Sequence, residues 1–246
     1  MSSSEDGADL DGDRVGALLA ELRSADTRFH GWTPDVEANW GLTEDALAFL
    51  VDVVGRDHRT LETGVGYSTV LFAVRGAHHT VVSPFEFEHD RVRAWCEEHD
   101  VDLSRVSFVA QASQQALPEL EATPLDLVLI DGDHAFPTPF IDFYYAARRL
   151  VPGGLLVLDD THVRSCALLA EFLRADTPRW RVHTEMWTTN VYERLDGPLQ
   201  PIDGWAAQPW GATTLRSGTP MTLQQRVRAR LRLRSRFARG GERASG

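Results

Sequence analysis

The sequence predicts an α/β protein built on a doubly wound, seven-stranded sheet, mostly parallel, with an antiparallel hairpin at its C-terminal end. Three observations predict it. Strand-like apolar runs fall near 59–63, 79–83, 105–110, 126–130 and 154–159. Helical stretches near 67–75, 88–99, 136–149 and 163–174 alternate with them, which makes the strands parallel neighbours joined by crossover helices. Two more β-type runs, Trp180 to Trp187 and Asn190 to Leu195, are separated only by Thr188 and Thr189, as in a hairpin. Five strand–helix units and one hairpin give seven strands.

The flanking segments read less sharply. Residues 1–12 are acidic and polar and are expected to be disordered. The apolar spacing from Arg14 to Ala25 suits a short helix. Thr43 offers an N-cap for a helix over 44–55, whose Leu47, Leu50, Val51 and Val54 share a face. In the helix at 88–99, Val92, Trp95 and Cys96 form the apolar stripe. The main domain is therefore expected over 13–198, with an irregular Gly-, Pro- and Trp-rich extension over 199–222. A basic tail follows over 223–246. Its Leu223, Val227 and Leu231 lie four apart among arginines, so as a helix it would be basic and amphipathic. Such a tail suits an anionic membrane or nucleic acid, but its Gly, Ser and Ala ending favours a solvated segment.

Bulk properties exclude several classes. The chain has 246 residues and is 43% hydrophobic, enough for a sizeable core. No apolar run approaches the roughly 20 residues of a membrane-spanning helix. The first 13 residues lack the basic and apolar regions of a signal peptide, and two cysteines make neither a disulfide framework nor a zinc pattern. A cytoplasmic protein is expected. The net charge is −11. From Arg216 onward nine arginines face one acid, about +8, so the remainder carries about −19. That balance argues against nucleic-acid binding by the main domain.

The segment Leu61-Glu62-Thr63-Gly64-Val65-Gly66-Tyr67-Ser68-Thr69 carries the most information. It reads as a buried strand, a tight glycine turn and a helix start, with an acid two residues before the first glycine. Bare backbone at such a turn can lie against a nucleoside-type cofactor. A dinucleotide fingerprint needs a third glycine, and Thr69 stands there instead. The turn therefore fits S-adenosylmethionine, a sulfonium with a free amino group, better than a nicotinamide dinucleotide.

Ligands of an open α/β sheet bind outside the carboxyl ends of its strands. Here those ends read Glu62 and the glycine turn, Ser83-Pro84-Phe85-Glu86, Ala112-Ser113-Gln114, Asp131-Gly132-Asp133-His134 and Asp159-Asp160-Thr161-His162. If the fourth and fifth strands are neighbours, Asp131, Asp159 and Asp160 converge. Carboxylates that close repel unless a cation or protons are present, and oxygen ligands favour a hard ion such as magnesium. The alternative is turn chemistry and helix capping. His134 titrates near neutrality and is the candidate base, with a solvated loop histidine as the plain alternative and His162 the weaker candidate.

Four segments, LETGVGYSTV, AQASQQALPEL, DLVLIDGDHAF and LVPGGLLVLDDTH, carry a family resemblance over roughly 40–195. The chain resembles class I S-adenosylmethionine-dependent methyltransferases of Rossmann-like fold, and among them the small metal-dependent O-methyltransferases of the catechol and caffeoyl-CoA type. The resemblance implies that Glu62, Gly64, Gly66, Tyr67 and Ser68 surround the methionine part of the cofactor. It implies that Ser113 and Gln114 border the adenine. Asp131, Asp159 and Asp160 match metal-ligand positions, with Asp131 also at the cofactor, and His134 falls where the catechol type has its catalytic lysine. There are three departures. The glycine turn is two residues shorter, Asp160 replaces the usual asparagine, and the second strand lacks the usual acid at its tip, leaving Glu86 as the nearest carboxylate for the ribose.

Two rival readings stand beside this one. A nicotinamide-dependent oxidoreductase shares the fold class but lacks its third glycine here. A regulatory protein that keeps the pocket without catalysis would have no use for Asp131, His134, Asp159 and Asp160 together. On the resemblance the acceptor is expected to be a small hydroxylated molecule, with a phenol, a sugar hydroxyl and a lipid-like acceptor all open. Trp32, Trp40, Trp187, Trp205 and Trp210 lie outside the core units and either line its pocket or simply pack.

Overall fold

The seven strands lie in one sheet of order β5-β4-β3-β6-β7-β9-β8. These are β3 Arg59–Thr63, β4 His78–Val82, β5 Val106–Val109, β6 Leu125–Ile130, β7 Leu150–Leu158, β8 Trp180–Glu185 and β9 Asn190–Arg194. The structure is a computed structural model that describes residues 14–18, 20–22, 27–38, 40–199 and 209–210. The predicted tail over 223–246 and most of the extension over 199–222 lie outside the described residues, as do residues 1–12.

Pairing is parallel from β5 through β7 and antiparallel for β7–β9 and β9–β8. The order reverses between β3 and β6, so the crevice opens beyond the carboxyl ends of those two strands. The closing hairpin is present, but its second strand, β9, takes the inner place and β8 becomes the edge. Composition explains this. Asn190, Val191 and Tyr192 of β9 are buried, whereas Arg181, Val182 and His183 of β8 are exposed.

The central strands are apolar throughout because helices cover both faces. On one face Leu127, Leu129, Val157 and Val191 pack with the helices Glu44–Val53 (α1), Tyr67–Val74 (α2) and Glu86–Glu98 (α3). On the other, Leu61, Val128, Ile130, Leu156 and Leu158 pack with Thr138–Ala146 (α5) and Arg164–Ala175 (α6). Consecutive residues of β6 thus alternate between the two cores, the period of two that a strand requires. A single turn, Ser113–Ala116 (α4), connects β5 to β6.

Residues 14–18 and 20–22 are helical, as expected for the start of the Arg14–Ala25 segment. Thr43 occupies the N-cap of α1, but its hydroxyl donates to Asp45 instead of accepting a backbone N–H. A two-stranded antiparallel ribbon, β1 His30–Thr33 and β2 Val36–Ala38, has no counterpart in the sequence reading. Strands of four and three residues are too short to show alternation. Three side chains on the main body hold the ribbon region. The Arg91 guanidinium donates to the carbonyls of Phe29, His30 and Pro34, the Glu88 carboxylate accepts from the Gly31 amide, and the Tyr67 hydroxyl donates to the Thr27 carbonyl.

Candidate active site

The tips of the strands are tied together by backbone hydrogen bonds before any side chain is considered. Gly64 N–H donates to Val82, Asp131 N–H to Thr63, and Asp159 N–H to Ile130. The glycine turn therefore lies against the exit of β6. Gly64 has φ +103°, and a Cβ there would overlap the carbonyl oxygen of Asp131. Only glycine combines that conformation with that approach.

A cleft of about 880 Å³ opens above these tips. Gly64, Ser113, Gln114, Asp131, His134, Asp159 and Asp160 all line it, so residues more than 90 positions apart meet in one space. His134 and Asp160 are paired within it, with Nδ1 2.9 Å from a carboxylate oxygen of Asp160. The other ring nitrogen is 3.9 Å from Asp131 and has no hydrogen-bond partner among the described residues. His162 is more exposed and lies 3.5 Å from Asp160. Asp160 itself has φ +51°, a left-handed conformation that aspartate tolerates better than most residues.

The electrostatics follow from burial and mutual repulsion. Burial, reinforced by Asp159, Asp160 and Glu62, pushes the Asp131 carboxyl well above its ordinary value. Burial also raises Asp159, against the lowering effect of its hydrogen bond from Thr189. The hydrogen bond from His134 holds Asp160 below the usual range. For His134, burial alone would lower the pKa, but the Asp160 carboxylate and its neighbours outweigh this and raise it.

The acids do not play equal parts. Asp131, His134 and Asp160 each offer one ligand atom within 4.8 Å of the others, the spacing of a cation site. Asp159 also lines the cleft, yet its carboxylate accepts hydrogen bonds from Thr189 and, at 3.4 Å, from Thr188. It pins the β8–β9 turn to the end of β7. Of the expected oxygen-only set of Asp131, Asp159 and Asp160, the first and last fall in this cluster, and its third member is the His134 imidazole. Such a mixed set suits manganese, iron or zinc at least as well as magnesium.

The remaining candidates lie around the cleft without lining it. Glu62 is 1% exposed and its carboxylate accepts from Ser68 at 2.6 Å, from Thr69 and from His79. Ser68 is thereby turned inward. Gly66 donates its amide to Thr69. Tyr67 faces the N-terminal segment, edge-on to Phe29. Glu86 is exposed and pairs with Arg93. The acid that does reach the cleft near β4 is Glu88, 5% exposed, which accepts from Ser83 and lies 3.5 Å from His30. The sequence reading passed over it. Its signal was periodicity, because Glu88 precedes Val92 and Trp95 by four and seven residues and so belongs to the buried stripe of α3. His30 and Trp40, also in the cleft wall, come from the unpredicted ribbon and the segment after it.

Residues 61–161 match a family described as a methyltransferase domain. No curated protein sequence matches the chain. Several solved structures are similar. Cofactor-bound Rv0187 from MTB superposes with a TM-score of 0.54 at 18% identity, over 75% of this chain and 91% of that one. The O-methyltransferase from Bacillus cereus in complex with SAH gives 0.50 at 19%, over 76% and 90%. An rRNA methylase from Streptococcus thermophilus gives 0.50 at 13%, over 65% and 100%. At such identities the likeness is one of fold. Over residues 61–161 the chain is thus similar to methyltransferase domains, and its fold is the one these solved structures share.

Proposed function

We propose that the protein transfers a methyl group from S-adenosylmethionine to a hydroxyl oxygen of a small acceptor, with His134 as the general base. One observation carries this reading. In a cleft shared with the glycine turn, His134 is held by Asp160 through one ring nitrogen, while the other is buried beside Asp131 without a hydrogen-bond partner among the described residues. A carboxylate that fixes one nitrogen of an imidazole leaves the other free to take a proton.

The bound cofactor supplies an electrophilic methyl group on a sulfonium. Gly64 offers bare backbone beside it, and Ser113 and Gln114, which also line the cleft, would border the adenine. Glu88 replaces Glu86 as the carboxylate in reach of ribose hydroxyls. Glu62, Gly66, Tyr67 and Ser68 serve the cofactor by shaping the turn and its surroundings rather than by lining the cleft. The acceptor hydroxyl approaches His134, whose second nitrogen would take its proton as the methyl carbon exchanges its bond to the sulfonium sulfur for one to the oxygen. Asp160 keeps the imidazole in one tautomer and stabilises the imidazolium that results.

A second reading rests on the spacing of Asp131, His134 and Asp160. Those residues would hold a divalent cation that polarises the acceptor oxygen, and His134 would then be a ligand rather than a base. The two uses of His134 exclude each other. Turnover that survives exhaustive chelation supports the base, and turnover restored only by added metal supports the ligand. The acidic main domain argues for a small acceptor over RNA. The basic tail, if it binds anything, would meet an anionic surface.

Calorimetric titration with S-adenosylmethionine tests the foundation. Saturable micromolar binding is the expected result. A folded protein that binds neither S-adenosylmethionine nor SAH would overturn the reading.

A further inference from the structure

We infer that His79, a strand residue outside the cleft, is a positioning residue for the glycine turn, acting through Glu62. The inference rests on the proposed reading of that turn as the cofactor's seat. His79 is wholly buried in β4, opposite Thr60 of β3. Its Nδ1 lies 2.8 Å from the Thr60 hydroxyl and its Nε2 3.0 Å from the Glu62 carboxylate. Phe72 stacks on the ring at 4.3 Å and 16°, fixing its plane.

These contacts dictate where the hydrogens lie. A carboxylate only accepts, so Nε2 carries a proton, and in the neutral ring Nδ1 accepts from Thr60. Ser68 and Thr69 also donate to Glu62, and Thr69 accepts in turn from the Gly66 amide at 3.0 Å. Two chains of hydrogen bonds therefore run into one carboxylate. One starts in the sheet at Thr60 and passes through His79. The other starts at the backbone of the turn, at Gly66, and passes through Thr69. Every polar atom along both chains is partnered within the protein. Glu62 is thus the hub that couples the turn to the sheet, and His79 is the sheet's hold on the hub. Without that donor, the Glu62 oxygen that His79 shares with Thr69 keeps only the Thr69 hydroxyl, and the buried carboxylate is tied to the turn but no longer to the sheet.

Cofactor affinity should depend on His79 although His79 touches no ligand. The test compares wild type with His79→Leu and His79→Gln. A glutamine amide can donate where Nε2 does, and leucine cannot. Two readouts are needed: the dissociation constant for SAH by calorimetry, and hydrogen exchange of the 63–69 backbone without ligand. The leucine variant should bind SAH about tenfold more weakly and lose protection at the turn, with glutamine restoring both to within about threefold. Thermal stability does not decide, because both variants disturb a buried site. If leucine fails to fold, His79→Asn replaces it, since its shorter amide does not reach Glu62 and should behave as leucine would.

Unchanged SAH affinity in a folded leucine or asparagine variant would overturn the inference. So would a glutamine variant as impaired as leucine. A wild type that binds no SAH, but whose turn still loses protection in the leucine variant, would remove the cofactor reading and leave the positioning role standing.

Discussion

His134 is the residue on which the chemistry turns, and its environment makes a directional pH prediction. Its pKa is raised because the Asp160 carboxylate and its acidic neighbours outweigh the effect of burial. A base must be unprotonated to act. The rate should therefore fall as pH drops through a value above the ordinary ~6.5 of histidine. Asp160→Asn removes the nearest negative charge, so the acidic limb should move to lower pH in a kcat/KM profile. His134→Ala should lower kcat by about 10²–10⁴ while SAH affinity holds within about threefold. A loss in kcat under threefold would make His134 a bystander. The neighbouring acids separate by another measurement. If His134 serves instead as a ligand, manganese should bind, and Asp160→Ala should abolish that binding. Asp159→Ala should keep most of it, because Asp159 is engaged by Thr188 and Thr189.

At the scale of elements, α5 carries a cost that pH reveals. Asp142 on this helix is buried, and neither carboxylate oxygen has a hydrogen-bond partner among the described residues. Burial pushes its pKa up to about 6, although the Ser113 and Thr63 hydroxyls are near enough to soften the rise. The folded state thus holds the proton more tightly than the unfolded chain, whose value is near 3.8. The penalty is absent below the unfolded value, grows as pH rises, and is complete above the folded value. It amounts to roughly 3 kcal/mol at most. Asp142→Asn should therefore raise Tm at pH 8 and lose about half of that advantage by pH 5. An equal gain at both values would reject the charge as its cause. The turn after β3 is equally constrained. Gly64→Ala meets both the positive φ and the Asp131 carbonyl, and should destabilise by more than about 1 kcal/mol and abolish SAH binding.

For the whole molecule, the question is what closes the cleft. His30 and Trp40 bring the N-terminal segment to its wall, and Arg91 secures that segment by three carbonyl bonds from one guanidinium. Arg91→Ala should speed hydrogen exchange over 29–36 while leaving the central strands protected. A uniform loss of protection would mean that the ribbon is part of the cooperative core. No helix among the described residues is long and apolar enough to cross a membrane. The exposed Trp187 directly precedes the Thr188–Thr189 turn that Asp159 pins.

The sequence by itself determined the sheet, because strands buried on both faces must be apolar throughout and crossover helices must carry a stripe. It also determined which residues stand at the strand ends, since the carboxyl end of each apolar run is where polar residues begin. Asp131, His134 and Asp160 were legible for that reason, as were Gly64, Ser113 and Gln114. Tertiary structure alone decided direction. Residues one position apart at a strand tip face opposite ways, so Asp160 meets His134 while Asp159 meets Thr189, and nothing in Asp159-Asp160 distinguishes them. The same holds for Glu62, whose place beside the glycines suggested a ligand contact. Its carboxylate is instead consumed by three donors, one of which arrives from a neighbouring strand. Partners distant in sequence decide such orientations, and no local pattern records them.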